Sequence, residues 1–341
     1  MKKTLFFIMA VLVLISCAVQ AKSKKDKKPD WLENPKSVYS EQLYLTAIGE
    51  GDSRNEAENY AAGNLAKIFE TRVQTDETYS QRYQELMKGG KTTFEEEADV
   101  QKMVNLQAEQ TLYNVQFSDS YTDQYGRVHV LAYLNRFKTG ELYEEKINTN
   151  ADRILFFLDL GDAASDPLMR YAAYNAAKTI SLNNEILLSQ LDIISPDTKE
   201  FLDLGYNHDE IVKMNAMAAK EVKFAMNIGN DQENKIGILI EDMFTDLGFV
   251  MSSDNLLLVE GEITFEQTDL GREDDNIFVR YDLQLKVKDP EGIVVAALTE
   301  KGREGHKTYL EARERAVRAL EKKIRTSLKD RIISYLDSLV L

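Results

Sequence analysis

A chain of 341 residues with 57 Asp and Glu against 42 Lys and Arg carries a formal net charge of -15. Hydrophobic residues make up 43% and aromatics 9%, enough to bury packed cores, which excludes a disordered chain. Such acidity works against nucleic acid and anionic lipid as partners of the body as a whole. A single cysteine excludes both a disulfide framework and a thiolate metal site.

The chain starts with Lys2 and Lys3 and an apolar run from Leu5 to Ile15. That run is about half of the roughly 20 residues a spanning helix needs. Behind a basic start it reads as a signal peptide. It closes in Leu14-Ile15-Ser16-Cys17, and Cys17 is the lone cysteine. An apolar export segment ending in Leu, Ile, a small Ser and Cys resembles the lipobox of bacterial lipoproteins. The resemblance implies removal of residues 1–16 and a covalent lipid such as palmitate on Cys17. It also implies anchorage to a membrane of the cell envelope, the outer membrane by expectation, on its periplasmic or surface face. Loss of Lys2 and Lys3 takes the formal charge from -15 to -17. A second cleavage site at Val19-Gln20-Ala21 stays open and would release a soluble periplasmic protein. Ala18 to Asn34 is a linker, with Lys22, Lys24, Lys25, Lys27 and Lys28 ahead of Pro29 and Pro35. It cannot bury a core. Its lysines either lie on anionic headgroups, at about 1 kcal/mol each, or form a solvated spacer.

Leu43, Leu45, Ala47 and Gly49 fall on one side of a predicted strand ending at Gly49-Glu50-Gly51. Ser53-Arg54-Asn55-Glu56 is a capping box. Behind it Ala57, Ala61, Leu65 and Phe69 recur at helical spacing, and the small alanines let the helix press onto a sheet. Arg72–Tyr79, rich in Thr, Val and Tyr, predicts a strand. Phe94–Leu112, with Val100, Val104, Ala108 and Leu112 on one face, predicts a helix. Val115–Tyr121 and Val128–Arg136 flank Asp123-Gln124-Tyr125-Gly126, a hairpin signal. Trp31, then Tyr44-Leu45-Thr46-Ala47-Ile48-Gly49-Glu50-Gly51, then Ser53-x-x-Glu56-Ala57-x-x-x-Ala61 running to Asn64-Leu65-Ala66-Lys67-Ile68, resembles the LPP20 family of bacterial lipoproteins. The likeness spans residues 30–136. It implies a surface- or periplasm-facing lipoprotein module and brings no catalytic residues. Related domains occur in flagellar assembly proteins.

Ile154, Phe157 and Leu158 form an apolar helical face ending near Gly161. Asp166-Pro167 restarts a helix through Leu168, Tyr171, Ala172, Ala176 and Ile180. No second copy follows at a period of 34, so a solenoid is not supported. Beyond Gly205, Val222, Phe224, Met226 and Ile228 alternate as a strand. Ile236, Leu239, Ile240, Met243, Phe244 and Leu247 form a helix stopped by Gly248. Leu257–Phe265, Ile277–Val287 and Val294–Leu298 alternate as a meander with one wet face, turned at Asp289-Pro290-Glu291-Gly292. A second capping box, Thr308-Tyr309-Leu310-Glu311, opens a long helix with the seam Ala312, Ala316, Leu320, Ile324, Leu328 and Ile332. Ser53, Glu56, Ala57, Ala61 and Leu65 match Thr308, Glu311, Ala312, Ala316 and Leu320 at one constant offset. The fold expected is α+β, two sheet-plus-helix modules joined by a helical hairpin. Its divisions are a signal peptide at 1–16, the lipidated cysteine and linker at 17–34, an LPP20-like domain at 35–140, the hairpin at 141–205 and a second α+β domain at 206–341.

Signatures of catalysis are scarce. His129, His208 and His306 sit in unlike contexts, and no His-x-x-x-His or His-Glu pair offers a zinc site. There is no P-loop, dinucleotide fingerprint or Gly-x-Ser-x-Gly elbow. Glu50, Asp52 and Glu56 would repel phosphate from Gly49-Glu50-Gly51, whose glycines suit a tight turn better. Glu95-Glu96-Glu97 suits the first turn of a helix, and Asp274-Asp275 lies in a loop without an EF-hand pattern. No metal, cofactor or catalytic residue is therefore expected. From Lys301 to Arg331 eleven Lys and Arg face five acids, against the trend of the chain. Arg313, Arg315, Arg318, Lys322, Lys323 and Arg325 form a candidate face for an anionic partner, or a helix exterior pairing with the protein's own acids. The function expected is a non-enzymatic binding or assembly module, tethered to a membrane by lipid and docking envelope proteins, for instance of a flagellar machine. The alternative is a carboxylate-dependent cell-wall hydrolase, which needs two acids about 5–9 Å apart in one cleft.

Overall fold

The computed structural model describes residues 27–89, 112–268 and 276–340. The signal peptide and lipobox, the helix expected over Phe94–Leu112 (its last residue apart) and the loop at Asp274-Asp275 lie outside the described residues. The chain is α+β, as expected, and divides into two compact units. One joins Met1–Leu65 with Asn114–Asn135; the other joins Ala66–Tyr113 with Arg136–Leu341.

In the first unit the helices α1 (Asp30–Glu33) and α2 (Pro35–Val38) seat the buried Trp31. They lead into β1 (Tyr44–Gly51) and α3 (Arg54–Thr75). The cap forms with its return bond shifted by one residue: Ser53 Oγ accepts the Glu56 N–H at 3.3 Å, and the Glu56 carboxylate accepts the N–H of Asp52, one residue before the cap, at 2.8 Å. Helix α3 approaches β1 so closely that a Cβ on Gly49 would stand 2.2 Å from Ala57 O and Ala61 N. The glycine is thus a packing requirement. Asn64 Nδ2 donates to Ile48 O at 2.9 Å and fastens the same contact. Strand β4 (Val128–Asn135) pairs antiparallel with β1 and with two short strands, β2 (Gln116–Phe117) and β3 (Tyr121–Thr122). The single strand expected over Val115–Tyr121 is interrupted at Ser118, whose hydroxyl accepts the Leu131 N–H at 3.1 Å. The expected hairpin turn forms, with Asp123 Oδ1 accepting the N–H groups of Tyr125 at 2.8 Å and Arg127 at 2.9 Å.

The strand expected over Arg72–Tyr79 is a correction: this stretch is helical. Helix α3 runs to Thr75, and α4 (Glu77–Gly89) starts after Asp76, whose carboxylate accepts the N–H groups of Thr78 and Tyr79. Thr and Val are weaker helix formers than Ala by only about 0.7 kcal/mol, too little to stop an established helix.

In the second unit α5 (Arg136–Ala163) and α6 (Pro167–Ile194) are the expected pair of helices, with α5 beginning directly at the end of β4. Asp166 caps α6 by accepting the Leu168 N–H at 3.1 Å. The short α7 (Pro196–Glu200) and α8 (His208–Glu221) follow. The sheet then comprises β5 (Lys223–Gly229), β6 (Val250–Met251), β7 (Leu257–Thr268), β8 (Ile277–Lys288) and β9 (Val294–His306), with α9 (Lys235–Asp246) between β5 and β6. Its order is β6-β5-β7-β8-β9. Strand β5 runs parallel to both neighbours, and β7, β8 and β9 form the antiparallel meander. Gly248, at φ +85°, ends α9, and the Phe249 N–H returns to Phe244 O at 3.1 Å.

One face of the sheet is the core. Phe224 stacks on Phe244 at 4.6 Å, among Val259, Ile263, Leu283 and Leu285. Leu168, Tyr171 and Ala172 of α6 join the same cluster. The C-terminal helix covers it as α10 (Tyr309–Lys323), a π-helical turn (Ile324–Leu328) and α11 (Lys329–Ser338). All six expected seam residues are at most 1% exposed. The opposite face holds cross-strand ion pairs, Lys288 with Glu260 at 2.5 Å and Lys301 with Asp282 at 2.6 Å. Both capped helices follow a strand, yet α3 follows the first strand of an antiparallel sheet and α10 the last strand of a mixed one. The expectation that the C-terminal stretch repeats the architecture of the first is therefore corrected. The likeness is confined to the local strand-to-helix junction.

Candidate functional site

Cys17 and its lipobox residues Leu14, Ile15 and Ser16 lie outside the described residues. The basic face is described in full. Arg313 donates to Glu233 at 2.7 Å, with its guanidinium 5.1 Å from the Phe265 ring centroid. Glu233 is also 3.0 Å from Lys235, and these two cations hold its carboxyl below the usual carboxylate range. Arg315 donates to Gly305 O at 3.1 Å. Lys323 lies 3.7 Å from Glu300. Arg325 meets Asp246 at 3.0 Å, Glu321 at 3.2 Å and Asp242 at 3.5 Å. Arg318 and Lys322 are exposed. The helix thus directs four of the six cations onto the protein's own carboxylates and backbone and turns two to solvent.

At one end of the first unit's sheet, Glu50, Asp52, Asp123, Arg127 and His129 gather. Arg127 bridges Asp52 and Glu50, and His129 Nε2 is 3.2 Å from Asp123 Oδ2. Burial works to raise the Asp123 pKa; hydrogen bonds from His129 and from the N–H groups of Arg127 and Tyr125 outweigh it and hold it low. This corner joins the hairpin turn to Gly49-Glu50-Gly51, which forms no tight turn but ends β1, paired with Val130, His129 and Val128.

The densest polar constellation was not visible in the sequence. It lies in the second unit, where α4, α6 and α8 meet. Arg82, 7% exposed, donates to Asp209 at 2.8 Å, pairs with Glu85 at 3.3 Å and places Nε 3.7 Å from Glu185, beyond hydrogen-bond reach. His208, 4% exposed, has Nδ1 2.8 Å from Ser181 Oγ and Nε2 3.4 Å from Glu85. Lys178 donates to Asn215 at 3.1 Å. Burial, with Arg82 alongside, pushes the His208 pKa down, and burial pushes the Lys178 ammonium down. A second chain lies close in sequence: Asn184 donates to Tyr206 at 2.8 Å and accepts from Asn150 at 3.2 Å. Burial pushes the Tyr206 hydroxyl up to about 12.

Ser181, His208 and Glu85 run in the order of a serine-hydrolase relay, but their placement is unlike one. Ser181 is fully buried in the middle of α6, and its hydroxyl has Lys178 O as a second partner at 2.9 Å. A nucleophile must reach its substrate; this one faces helix backbone. Among the described residues no three His, Cys, Asp or Glu side chains group as metal ligands, and no helix is long and apolar enough to cross a membrane.

The sequence model of the LPP20 lipoprotein family matches residues 29–135, the stretch singled out by the resemblance. Among solved structures, the chain is similar to a secreted protein of Helicobacter pylori, at 11% identity and TM-score 0.41, over 87% of this chain and 98% of that one. It is also similar to a minor lipoprotein of Acinetobacter baumannii, at 14% identity and TM-score 0.25, over 34% of this chain and 92% of that one. Likenesses this remote say nothing of function. No curated protein matches the chain.

Proposed function

We propose, with an LPP20 lipoprotein module at residues 29–135 as the premise, that the protein is a lipid-tethered, non-enzymatic docking module of the cell envelope. The observation that carries this reading is that a lipoprotein-family match begins a short linker beyond Leu14-Ile15-Ser16-Cys17. Acyl chains on Cys17 hold the body at a membrane surface; one chain anchors weakly and several anchor firmly. Partners in the same layer then meet the body at high effective concentration, so modest contacts suffice for association. The partner class is envelope protein, an assembly machine among the candidates, with the outer membrane as the site. The gathered carboxylates Glu85, Glu185 and Asp209 each face Arg82, which favours docking over carboxylate hydrolysis.

Cys17→Ser tests the tether. The variant is expected to lose labelling by radioactive fatty acid and to leave the membrane fraction. A variant still labelled and still membrane-bound would overturn it. Docking is tested by cross-linking in intact cells, and recovery of no envelope protein would count against it.

A further inference from the structure

Among the described side chains, helix α4 touches the rest of the second unit through Tyr79, Arg82 and Glu85. The three lie at helical spacing. Tyr79 accepts a hydrogen bond from Lys199 at 2.5 Å, and Lys199 also reaches Asp192 at 3.1 Å. Arg82 is held by Asp209 of α8 and stands near Glu185 of α6, while Glu85 faces His208 of α8. Ser181, Lys178, Asn184 and Glu185 face this junction from α6, Lys199 from α7, and His208 and Asp209 from α8.

The sum of these charges is poised. At neutral pH the cations Arg82, Lys178 and Lys199 stand against the carboxylates Glu85, Glu185, Asp209 and Asp192, with His208 uncharged. A proton on His208 adds a further buried cation to a junction that already holds Arg82 and Lys178. A buried cation whose partner is lost is strongly destabilising. Arg82 begins imperfectly satisfied, since its Nε makes no hydrogen bond.

We propose that α4 is an acid-released latch: protonation of the buried His208, in the junction that already holds Arg82, detaches α4 from α6 and α8. Undocking hydrates Arg82 and lets His208 charge in water, so acid favours the open state. The direction follows from linkage. His208 is a base whose value is lowered in the docked state. Its contribution is complete above the ordinary histidine value of about 6.5 and is lost as pH falls below it. Asp209, held low by Arg82, adds a second loss below about 3.9.

The test is amide hydrogen exchange on the full-length lipidated protein in detergent, at about pH 7.5 and pH 5, after correction for intrinsic exchange rates. The α4 amides are expected to exchange about tenfold faster at the lower pH while those of β7, β8 and β9 hold their protection. Equal α4 protection at both pH values would refute the latch, as would a loss shared by every element. Two variants, Glu185→Gln and His208→Gln, identify the cause. Removing one anion from beside Arg82 weakens docking already at pH 7.5, while His208→Gln takes away the titrating ring and should collapse the difference between the two pH values. An undiminished difference in His208→Gln would assign the acid response elsewhere.

Discussion

Gly49→Ala probes how closely α3 sits on β1. The new methyl would stand 2.2 Å from Ala57 O and Ala61 N and 2.8 Å from Ala61 Cα. Optimal contact lies at about 3.5–4.0 Å, and all three are backbone atoms, so no rotamer change relieves the overlap. The helix must move outward by more than about 1 Å. That loosens the fully buried Ala57, Ala61 and Leu65 and stretches the Asn64–Ile48 hydrogen bond. Overpacking of this kind costs about 1–3 kcal/mol and the lost bond about 1 kcal/mol more, so about 2–4 kcal/mol in all. Trp31, the only tryptophan and 8% exposed, belongs to the same unit and reports its unfolding. Urea denaturation followed by its fluorescence should show the midpoint falling by about 1–2 M. Gly126→Ala is the comparison, with φ +84° and nothing within 4 Å of the added methyl. There only the left-handed backbone conformation opposes the change, at about 1–2 kcal/mol. If Gly49→Ala proves no more damaging than Gly126→Ala, the close seating of α3 is wrong.

Phe244→Ala removes a fully buried ring from the stack on Phe224 and should destabilise the second unit by about 3–5 kcal/mol in thermal melts followed by circular dichroism. A cost under about 1 kcal/mol would mean that the core collapses to fill the space. Asp123 has its folded pKa lowered, so it contributes stability above the ordinary carboxylate value of about 3.9, lost as pH falls through the folded value. Asp123→Asn should flatten that acid limb in a Trp31 fluorescence titration, and an unchanged limb would assign the acid sensitivity to other groups.

Features set by neighbouring residues were legible in the chain. The two capping boxes are local chemistry, and Ser53 and Thr308 each accept the amide three residues on. The seam from Ala312 to Ile332 and the alternation of β7 and β8 follow from one buried face repeated at one period. Features set by distance were not. Arg82 and Asp209 are 127 residues apart, and nothing near either announces the other. The error at Arg72–Tyr79 has the same root: β-branched residues carry a weak preference, and α3 and α4 carry the chain through it as helix. Sheet order is likewise a matter of long-range pairing. The parallel seat of β5 beside β7 requires a crossover through α9 that alternation cannot reveal. The attachment proposed at Cys17 rests on its place behind an apolar run, whereas the network at His208 had no spacing to read.

The π-helical turn in the C-terminal helix has a geometric consequence. A stripe with one residue in four advances about 400° per step at 3.6 residues per turn, so it creeps about 40° each time. The buried positions from Ala312 to Leu336 keep that spacing. Over six such steps an unbroken α-helix would carry the stripe about 240° round its axis. Ile332 and Leu336 would then look away from the sheet they cover. The wider winding at Ile324–Leu328 gives back part of that creep midway. The turn is thus a phase corrector, and what it sets is counted in residues, whatever their side chains. Deleting any one residue there would rotate everything beyond by about 100°, while a substitution at the same place would leave the phase untouched.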